Sequence, residues 1–508
     1  MKNQSFLLST TILAVVNILI KVLGFIYRII LVRLIGAEGL GLFELISPIT
    51  MLVFTMVGSG VPIAIIRLIT QSIANNKKYE SIKIVEYTSL IMFFVSLLLS
   101  IILFLGAPFI ANSILRDERL LIPLYIFAPA IIFPSLAAIL RGYFYGIKNV
   151  IPPALSQFLE QVARIFMVFA LLSILYPFKE DKAIIISMVA VVFSEFIGLL
   201  LLIYFFKINK KNSLVNSRTE KLPFLSTMGK FSTIALPITL SRVVNSLLRV
   251  ATSIIIPSRL MVSGLDNPTA LSKYGEINGM AIPLLFLPYT LTSALVMNLI
   301  PRISEAIERK NFTILNLYAD KAFHLVFFIA LPLSGIFYAY SNEIFSILYA
   351  SSNGLYLAQL SMATLFLCIY QISASILQGI GKQMISTIVY VLGMSLQLIL
   401  NYILVALPKY QITGYILSYL LTNFLISIVN FILVLYFAKV KINYKKWILL
   451  PGLSCLLALL FSKFSLKYLL LNFNENIAFF ITILIIGITY FACLLISGNI
   501  KSLFNKFG

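Results

Sequence analysis

Fourteen apolar segments separated by polar connectors dominate the pattern of hydrophobic and polar positions along the chain. Each is long enough, at about 18 residues or more, for an α-helix to cross a bilayer. Connectors such as 36–39 and 381–383 are so short that neighbouring helices must run antiparallel. The pattern predicts membrane helices at 6–34, 40–70, 84–106, 121–146, 154–177, 183–206, 231–258, 277–301, 322–341, 355–381, 384–407, 411–437, 447–464 and 476–497.

The composition supports the same class of protein. The chain is 60% hydrophobic and 11% charged, with a mean hydropathy of +1.01. A soluble protein of this length would need far more charged surface. We therefore expect an all-α polytopic membrane protein with 14 transmembrane helices.

The charges of alternate loops differ sharply and predict the orientation. One set of loops holds 22 cations and six acids, whereas the other set holds nine of each. Positively charged loops stay cytoplasmic, so both termini are predicted to lie inside the plasma membrane. The net charge of +21 is thus a topology signal, and we do not expect nucleic acid as a partner.

The two halves of the chain share motifs in the same order. Lys21 and Arg28 recur 221 residues later as Arg242 and Arg249, and 140–146 is matched by 377–381. The matching helices run in the same direction, which predicts parallel repeats with a substrate site between them. The predicted parts are an N-terminal six-helix lobe at 1–206, a basic cytoplasmic linker at 207–230, a C-terminal six-helix lobe at 231–438, and helices 13 and 14 with the tail at 439–508.

Cations outnumber acids inside the predicted helices. Three of the eight cations, Arg33, Arg67 and Arg141, lie close enough to helix ends to be interfacial. Three acids can neutralise at most three cations, so we expect spare positive charge at membrane depth. The cations are Lys21, Arg28, Arg33, Arg67, Arg141, Arg164, Arg242 and Arg249, and the acids are Glu44, Glu160 and Glu195.

Four of these cations form the predicted substrate site. Lys21, Arg28, Arg242 and Arg249 are expected to hold phosphate oxygens, which arginine binds in a bidentate way and lysine as a point charge. The alternative is an internal ion pair or carbonyl cap that only packs the helices. The polar residues expected to contact sugar or peptide are Asn17, Asn245, Gln157 and Gln161.

Four residues are candidates for gating or ion coupling. Glu160 and Arg164 are four residues apart, so they are expected to neutralise each other on one helix face. That pair fits a structural role, a gating role or substrate contact. Glu44 and Glu195 are candidate carriers of a coupling proton.

Nothing in the sequence predicts catalysis or a cofactor. The three cysteines and the single histidine lack ligand spacing, and no nucleophile–base pair or phosphate loop is evident. We expect no enzyme activity, no metal and no cofactor. Transport would then be coupled to the membrane potential, to Na⁺ or to protons.

Several motifs resemble the stage V sporulation protein B family of the multidrug/oligosaccharidyl-lipid/polysaccharide (MOP) exporter superfamily. They are KVLGFIYR at 21–28, LIGAEGLGLF at 34–43, LRGYFYG at 140–146, PPALSQ at 152–157, EQVAR at 160–164 and LQGIGKQ at 377–383. The resemblance implies two six-helix lobes around a central cavity. It also implies that helices 13 and 14 form a groove for a lipid tail.

The resemblance further implies a flippase for a lipid-linked peptidoglycan precursor of the lipid II type, serving spore cortex synthesis. In the more remotely similar lipid II flippase, cations on helices 1, 2 and 8 engage pyrophosphate. Lys21 matches the first position, whereas the stretch around Leu52 carries no arginine. The expected partners are the lipid-linked saccharide, membrane lipid and cell-wall polymerases, with the chain itself a monomer.

Three other functions stay open. A cation-coupled multidrug antiporter of the same superfamily would depend on membrane acids instead of cations. A flippase for teichoic-acid or capsular polysaccharide precursors would meet similar phosphate groups. A non-transporting scaffold or enzyme of cell-wall assembly would need docking or catalytic features that the short loops do not offer.

Overall fold

The computed structural model describes residues 2–75, 77–175, 180–214, 223–351, 353–440 and 442–499, and this part of the chain is helical with no β-strand. A helix satisfies its own backbone N–H and C=O groups, as hydrocarbon surroundings require. Within the described residues, eleven helices are long and apolar enough to cross a membrane. The all-α polytopic class is therefore confirmed. The three other predicted spans fall on α1, on α1 with α2, and on α10, outside these eleven, so the count of fourteen stays a prediction.

The helices occupy the following ranges. They are α1 Lys2–Gly58, α2 Val61–Ala74, α3 Lys78–Phe109, α4 Leu121–Ala130, α5 Ile132–Gly146, α6 Ile151–Leu175, α7 Glu180–Leu214, α8 Phe224–Val262, α9 Asn267–Gly275, α10 Ile282–Glu308, α11 Phe312–Ala339, α12 Ser341–Tyr349, α13 Leu355–Leu360, α14 Ala363–Gly379, α15 Gln383–Leu404, α16 Gln411–Ala438, α17 Leu450–Leu469 and α18 Glu475–Ile496.

Helix α1 contains the first predicted connector as a single non-helical residue. Gly36 has a φ of 68°, in the left-handed region that glycine adopts without a Cβ penalty. The predicted segment 40–70 is also broken, at Ser59–Gly60 between α1 and α2. Pro62 follows this break and has no N–H with which to continue the helix ladder.

The chain forms two compact units, Met1–Pro257 and Ser258–Gly508. The division falls within α8, beyond the predicted linker at 207–230. Packing units need not coincide with duplicated lobes, so the predicted lobe boundaries stay a prediction. Residues 215–222 of the linker lie outside the described residues.

The two units repeat the same helix contacts in the same chain order. In the first unit, α2 packs on α3 and α5, α5 packs on α3 and α7, and α6 packs on α7. In the second unit, the corresponding pairs are α10 with α11 and α14, α14 with α11 and α16, and α15 with α16. These five recurring pairs agree with the predicted duplication, and the parallel direction of the repeats stays a prediction.

A glycine allows close packing at the matching position of each unit. A Cβ on Gly142 of α5 would lie 2.9 Å from Ile65 Cβ of α2. A Cβ on Gly379 of α14 would lie 2.7 Å from Ile303 Cγ2 of α10. Real Cβ atoms do not approach this closely, so both helix pairs depend on glycine.

The last two helices pack on α11. The Tyr340 hydroxyl, which follows α11, lies 2.6 Å from Ser462 Oγ of α17. Tyr490 of α18 donates a hydrogen bond to the Phe328 carbonyl at 2.9 Å. Trp447, which precedes α17, donates to Asp320 at 2.8 Å. These contacts fit the prediction that the C-terminal helices stand outside the duplication.

We expect Gly142→Ala and Gly379→Ala each to destabilise the protein by about 1–3 kcal/mol, the usual range for overpacking a tight contact. The measurement is the thermal unfolding midpoint of the purified protein in detergent. Gly487→Ala is the matched control, because a Cβ there meets no atom within 4 Å. Equal midpoints for all three variants would contradict the close-packing interpretation.

Candidate functional site

An ion pair joins the two halves of α1 across the Gly36 break. The Arg28 guanidinium donates to the Glu44 carboxylate, and the two side chains are 29% and 15% exposed. A charge in an apolar helix needs a partner of this kind, because its isolated burial costs several kcal/mol. Arg28, which the sequence placed in the substrate site, is thus held by an internal carboxylate. Its predicted contact with substrate stays a prediction.

A second ion pair joins α5 to α6. Arg141 donates to the Glu160 carboxylate, and the Glu160 side chain is only 8% exposed. Ser156, one turn earlier on α6, donates to the same carboxylate oxygen at 3.0 Å. Arg141 is therefore held by a carboxylate of a neighbouring helix, and its predicted interfacial depth stays a prediction.

A third ion pair joins α6 to α7. The Arg164 guanidinium lies 3.4 Å from the Glu195 carboxylate and donates to Ser194 Oγ at 3.1 Å. The predicted pairing of Glu160 with Arg164 is therefore wrong. Each of the two residues instead pairs with an opposite charge on a neighbouring helix, which brings two helices together where a pair within one helix would not.

Two residues that the sequence did not single out complete this region. A Cβ on Gly198 of α7 would overlap the Glu160 carboxylate, so glycine makes the room for it. The Tyr27 hydroxyl of α1 is buried without a hydrogen-bond partner and lies in the neighbourhood of Arg28 and Arg164. A glycine three residues after Glu195, inside an apolar helix, was the available signal.

Lys21 differs from the paired arginines. Its side chain is exposed on the first half of α1, and it has no hydrogen bond or ion pair with the described residues. Asn17, one turn earlier, is also exposed. Lys21 therefore carries an uncompensated charge within an apolar helix.

The predicted phosphate-binding residues on α8 likewise lack an opposite charge among the described residues. Arg242 and Arg249 are exposed, and neither has a carboxylate partner among the described residues. Arg242 donates one hydrogen bond, at 3.2 Å, to the Ser59 carbonyl. Asn245 is half-buried and donates to the Ser241 carbonyl, while its own side-chain oxygen is buried without a partner.

Gln157 and Gln161 lie on α6 beside the second ion pair and are both half-buried. The Gln157 side chain interacts with the hydroxyl of Tyr145, near the end of α5. Their predicted contact with sugar or peptide stays a prediction. Across the part of the chain that the structure describes, no group of three His, Cys, Asp or Glu residues could hold a metal ion.

The described helices define a multi-pass helical membrane protein. Comparisons with known proteins give the family. Residues 6–307 match the family described as polysaccharide biosynthesis protein, and residues 243–403 match the MatE family. The chain belongs to the polysaccharide biosynthesis protein family of the MOP exporter superfamily, whose members are transporters and flippases.

Individual proteins agree with this assignment. The chain is 31% identical over 380 residues to stage V sporulation protein B of Bacillus subtilis (strain 168), covering 73% of this chain and 71% of that protein. A solved structure of the lipid II flippase MurJ, in an inward closed conformation, matches with a TM-score of 0.71 at 19% identity, covering 96% of this chain and 98% of that one. A MATE family multidrug resistance transporter in an inward-facing conformation matches with a TM-score of 0.65 at 15% identity, covering 82% and 94%. At these identities, the two structures show the shared fold.

A double-mutant cycle tests which partner Glu160 has. We expect Glu160→Gln to couple to Arg141→Gln by about 0.5–3 kcal/mol, the range for residues in direct contact. Coupling of Glu160→Gln to Arg164→Gln should be several-fold smaller, because Arg164 pairs with Glu195. The measurement is the unfolding free energy of the detergent-solubilised variants. Stronger coupling of Glu160→Gln to Arg164→Gln would show that Glu160 pairs with Arg164 on the same helix, α6, and not with Arg141.

Proposed function

We propose that this protein is a flippase that moves a polyprenyl-pyrophosphate-linked saccharide from the inner to the outer leaflet by alternating access. Its closest chemical fit is a lipid II-type peptidoglycan precursor used in spore cortex synthesis. The family assignment and the name of the Bacillus subtilis relative support this substrate class. The membrane charges support it independently.

The observation that carries the proposal is that some membrane cations of the first unit are paired with a carboxylate and others are not. Glu44, Glu160 and Glu195 each have an arginine partner. The cations left without a carboxylate among the described residues include Lys21, Arg242 and Arg249, all exposed within apolar helices. Such charge is tolerated only where it meets water, a partner or an anionic ligand. A pyrophosphate group supplies the missing negative charge.

The proposal assigns a role to each group of residues. Lys21, Arg242 and Arg249 bind phosphate oxygens, and Asn17 and Asn245 lie one turn or less from them to contact the adjoining sugar. The ion-paired residues hold the helices of the first unit in register. Movement is driven by the membrane potential or by a Na⁺ or proton gradient. The protein acts as a monomer with both termini in the cytoplasm and passes its product to cell-wall polymerases.

A cation-coupled drug antiporter is the competing function, since the MatE family also matches residues 243–403. Such a transporter needs a carboxylate that can exchange a proton or a cation. The three membrane acids of the first unit are already held by arginines. The two functions therefore predict opposite sensitivities: loss of transport on removing cations in one case, and on removing acids in the other.

Transport can be measured in proteoliposomes with a fluorescent undecaprenyl-pyrophosphate-linked disaccharide, by following its accessibility in the outer leaflet. We expect Lys21→Gln, Arg242→Gln and Arg249→Gln each to lower the flipping rate at least about tenfold, since a hydrogen bond to a charged group is worth roughly 1.5–3 kcal/mol. The triple variant should be inactive.

Arg67→Gln is the matched control, because Arg67 is an exposed arginine of the apolar helix α2 and is not assigned to the site. Its rate should equal that of the unmodified protein. Unchanged flipping by the triple variant would overturn the proposed function. If the cation variants lose flipping as expected, competition by unlabelled peptidoglycan, teichoic-acid and capsular precursors identifies the saccharide.

A further inference from the structure

The break between α1 and α2 lies against α8 through three separate contacts. Arg242 donates to the Ser59 carbonyl at 3.2 Å. The Thr55 hydroxyl of α1 lies 3.1 Å from the Ser246 hydroxyl of α8. A Cβ on Gly60 would overlap the carbonyl oxygen of Ala235. These contacts extend along about three turns of α8.

Gly60 is explained by this close approach and not by its own backbone. Its φ of −88° is open to any residue, so the conformation alone does not call for glycine. Gly58 lies two residues earlier, and a Cβ there would meet no atom within 4 Å. The absence of a side chain at Gly60 therefore serves the contact with α8.

The break also supplies the hydrogen-bond acceptor. Pro62 lacks an N–H, so the series of helical backbone hydrogen bonds is interrupted where α2 begins. The Ser59 carbonyl at this interruption accepts from Arg242, and the Ser59 hydroxyl is buried without a hydrogen-bond partner. An arginine side chain from α8 thus satisfies a backbone carbonyl at the break between α1 and α2.

Helix α8 is otherwise lightly packed. Only 6% of the residues in its most apolar stretch are buried by the rest of the protein. Its contact with the break is polar and small, which makes the contact easy to separate compared with an interdigitated apolar interface. On the topology predicted from the loops, the contact lies in the cytoplasmic half of the membrane.

We propose that the Ser59–Gly60 break is a latch on which α8 closes, and that Arg242 couples this closure to phosphate binding. The second half of this statement rests on the proposed function. A guanidinium has five N–H donors, and the Ser59 carbonyl takes one of them. The others are available to phosphate oxygens, so a bound phosphate and the latch can hold the same side chain in one position.

Disulfide formation between Thr55→Cys and Ser246→Cys measures closure without any transport assay. The two hydroxyl oxygens are close enough for cysteines at these positions to join once α8 is on the break. Single-cysteine variants report the background from Cys368, Cys455 and Cys493. We expect rapid cross-linking in membranes under mild oxidation.

Adding Gly60→Ala to the cysteine pair should slow cross-linking by about tenfold, because the added methyl group overlaps backbone atoms of α8. Gly58→Ala is the matched control and should leave the rate unchanged. Arg242→Gln should also slow cross-linking, and this variant decides the question if Gly60→Ala fails to fold. Equal rates in all four proteins would overturn the latch.

Undecaprenyl pyrophosphate tests the coupling. It should speed cross-linking in the protein that keeps Arg242, and have no effect with Arg242→Gln. Acceleration that persists without Arg242 would overturn the coupling while leaving the latch in place. If the latch and the coupling behave as expected but the triple cation variant still flips lipid, the proposed function fails and the latch stands.

Discussion

An unpaired charge within an apolar helix is among the costliest features a membrane protein can contain, and the packing of the first unit follows from it. Its three membrane carboxylates each meet an arginine from a different helical segment. The pairs join the two halves of α1, α5 to α6, and α6 to α7. The second unit repeats the architecture with neutral contacts, such as Thr292 with Gln371 and Ser418 with Asn401. Charge therefore specifies the packing of one unit more than of the other.

This pairing separates two populations of cations that look alike in the sequence. Arg141 and Arg164 are largely buried and each holds a carboxylate. Lys21 and Arg249 are exposed and have no carboxylate among the described residues. A carboxylate that is already held by arginine is poorly placed to neutralise another cation. The exposed group must find its compensation outside the helices that carry it, in water or in an anion.

The periodic apolar segments were enough to predict the helices, and the ordered motifs were enough to predict the duplication. Ion-pair partners were not predictable to the same degree. Spacing along one helix identifies only partners within that helix, which is why Glu160 was matched with Arg164. The observed partner, Arg141, depends on how α5 and α6 cross. The glycine that admits Glu160, Gly198, lies on a third helix. Such an arrangement is fixed by packing between helices, about which the spacing of residues carries no information.

The fold alone does not select the cargo. A flippase that is 19% identical to this chain and a drug transporter that is 15% identical to it both share the fold. The type of hydrogen-bond acceptor that holds Arg242 says more about the charge of the cargo. A carboxylate at this position would neutralise the guanidinium whenever α8 lay on the break. The Ser59 carbonyl is uncharged, so the hydrogen bond positions Arg242 and leaves its positive charge intact. In the proposed latch, closure through a backbone carbonyl therefore preserves the attraction for an anion in the closed state. The proposed flippase requires this property, because it must keep a phosphate-bearing lipid bound while it changes conformation.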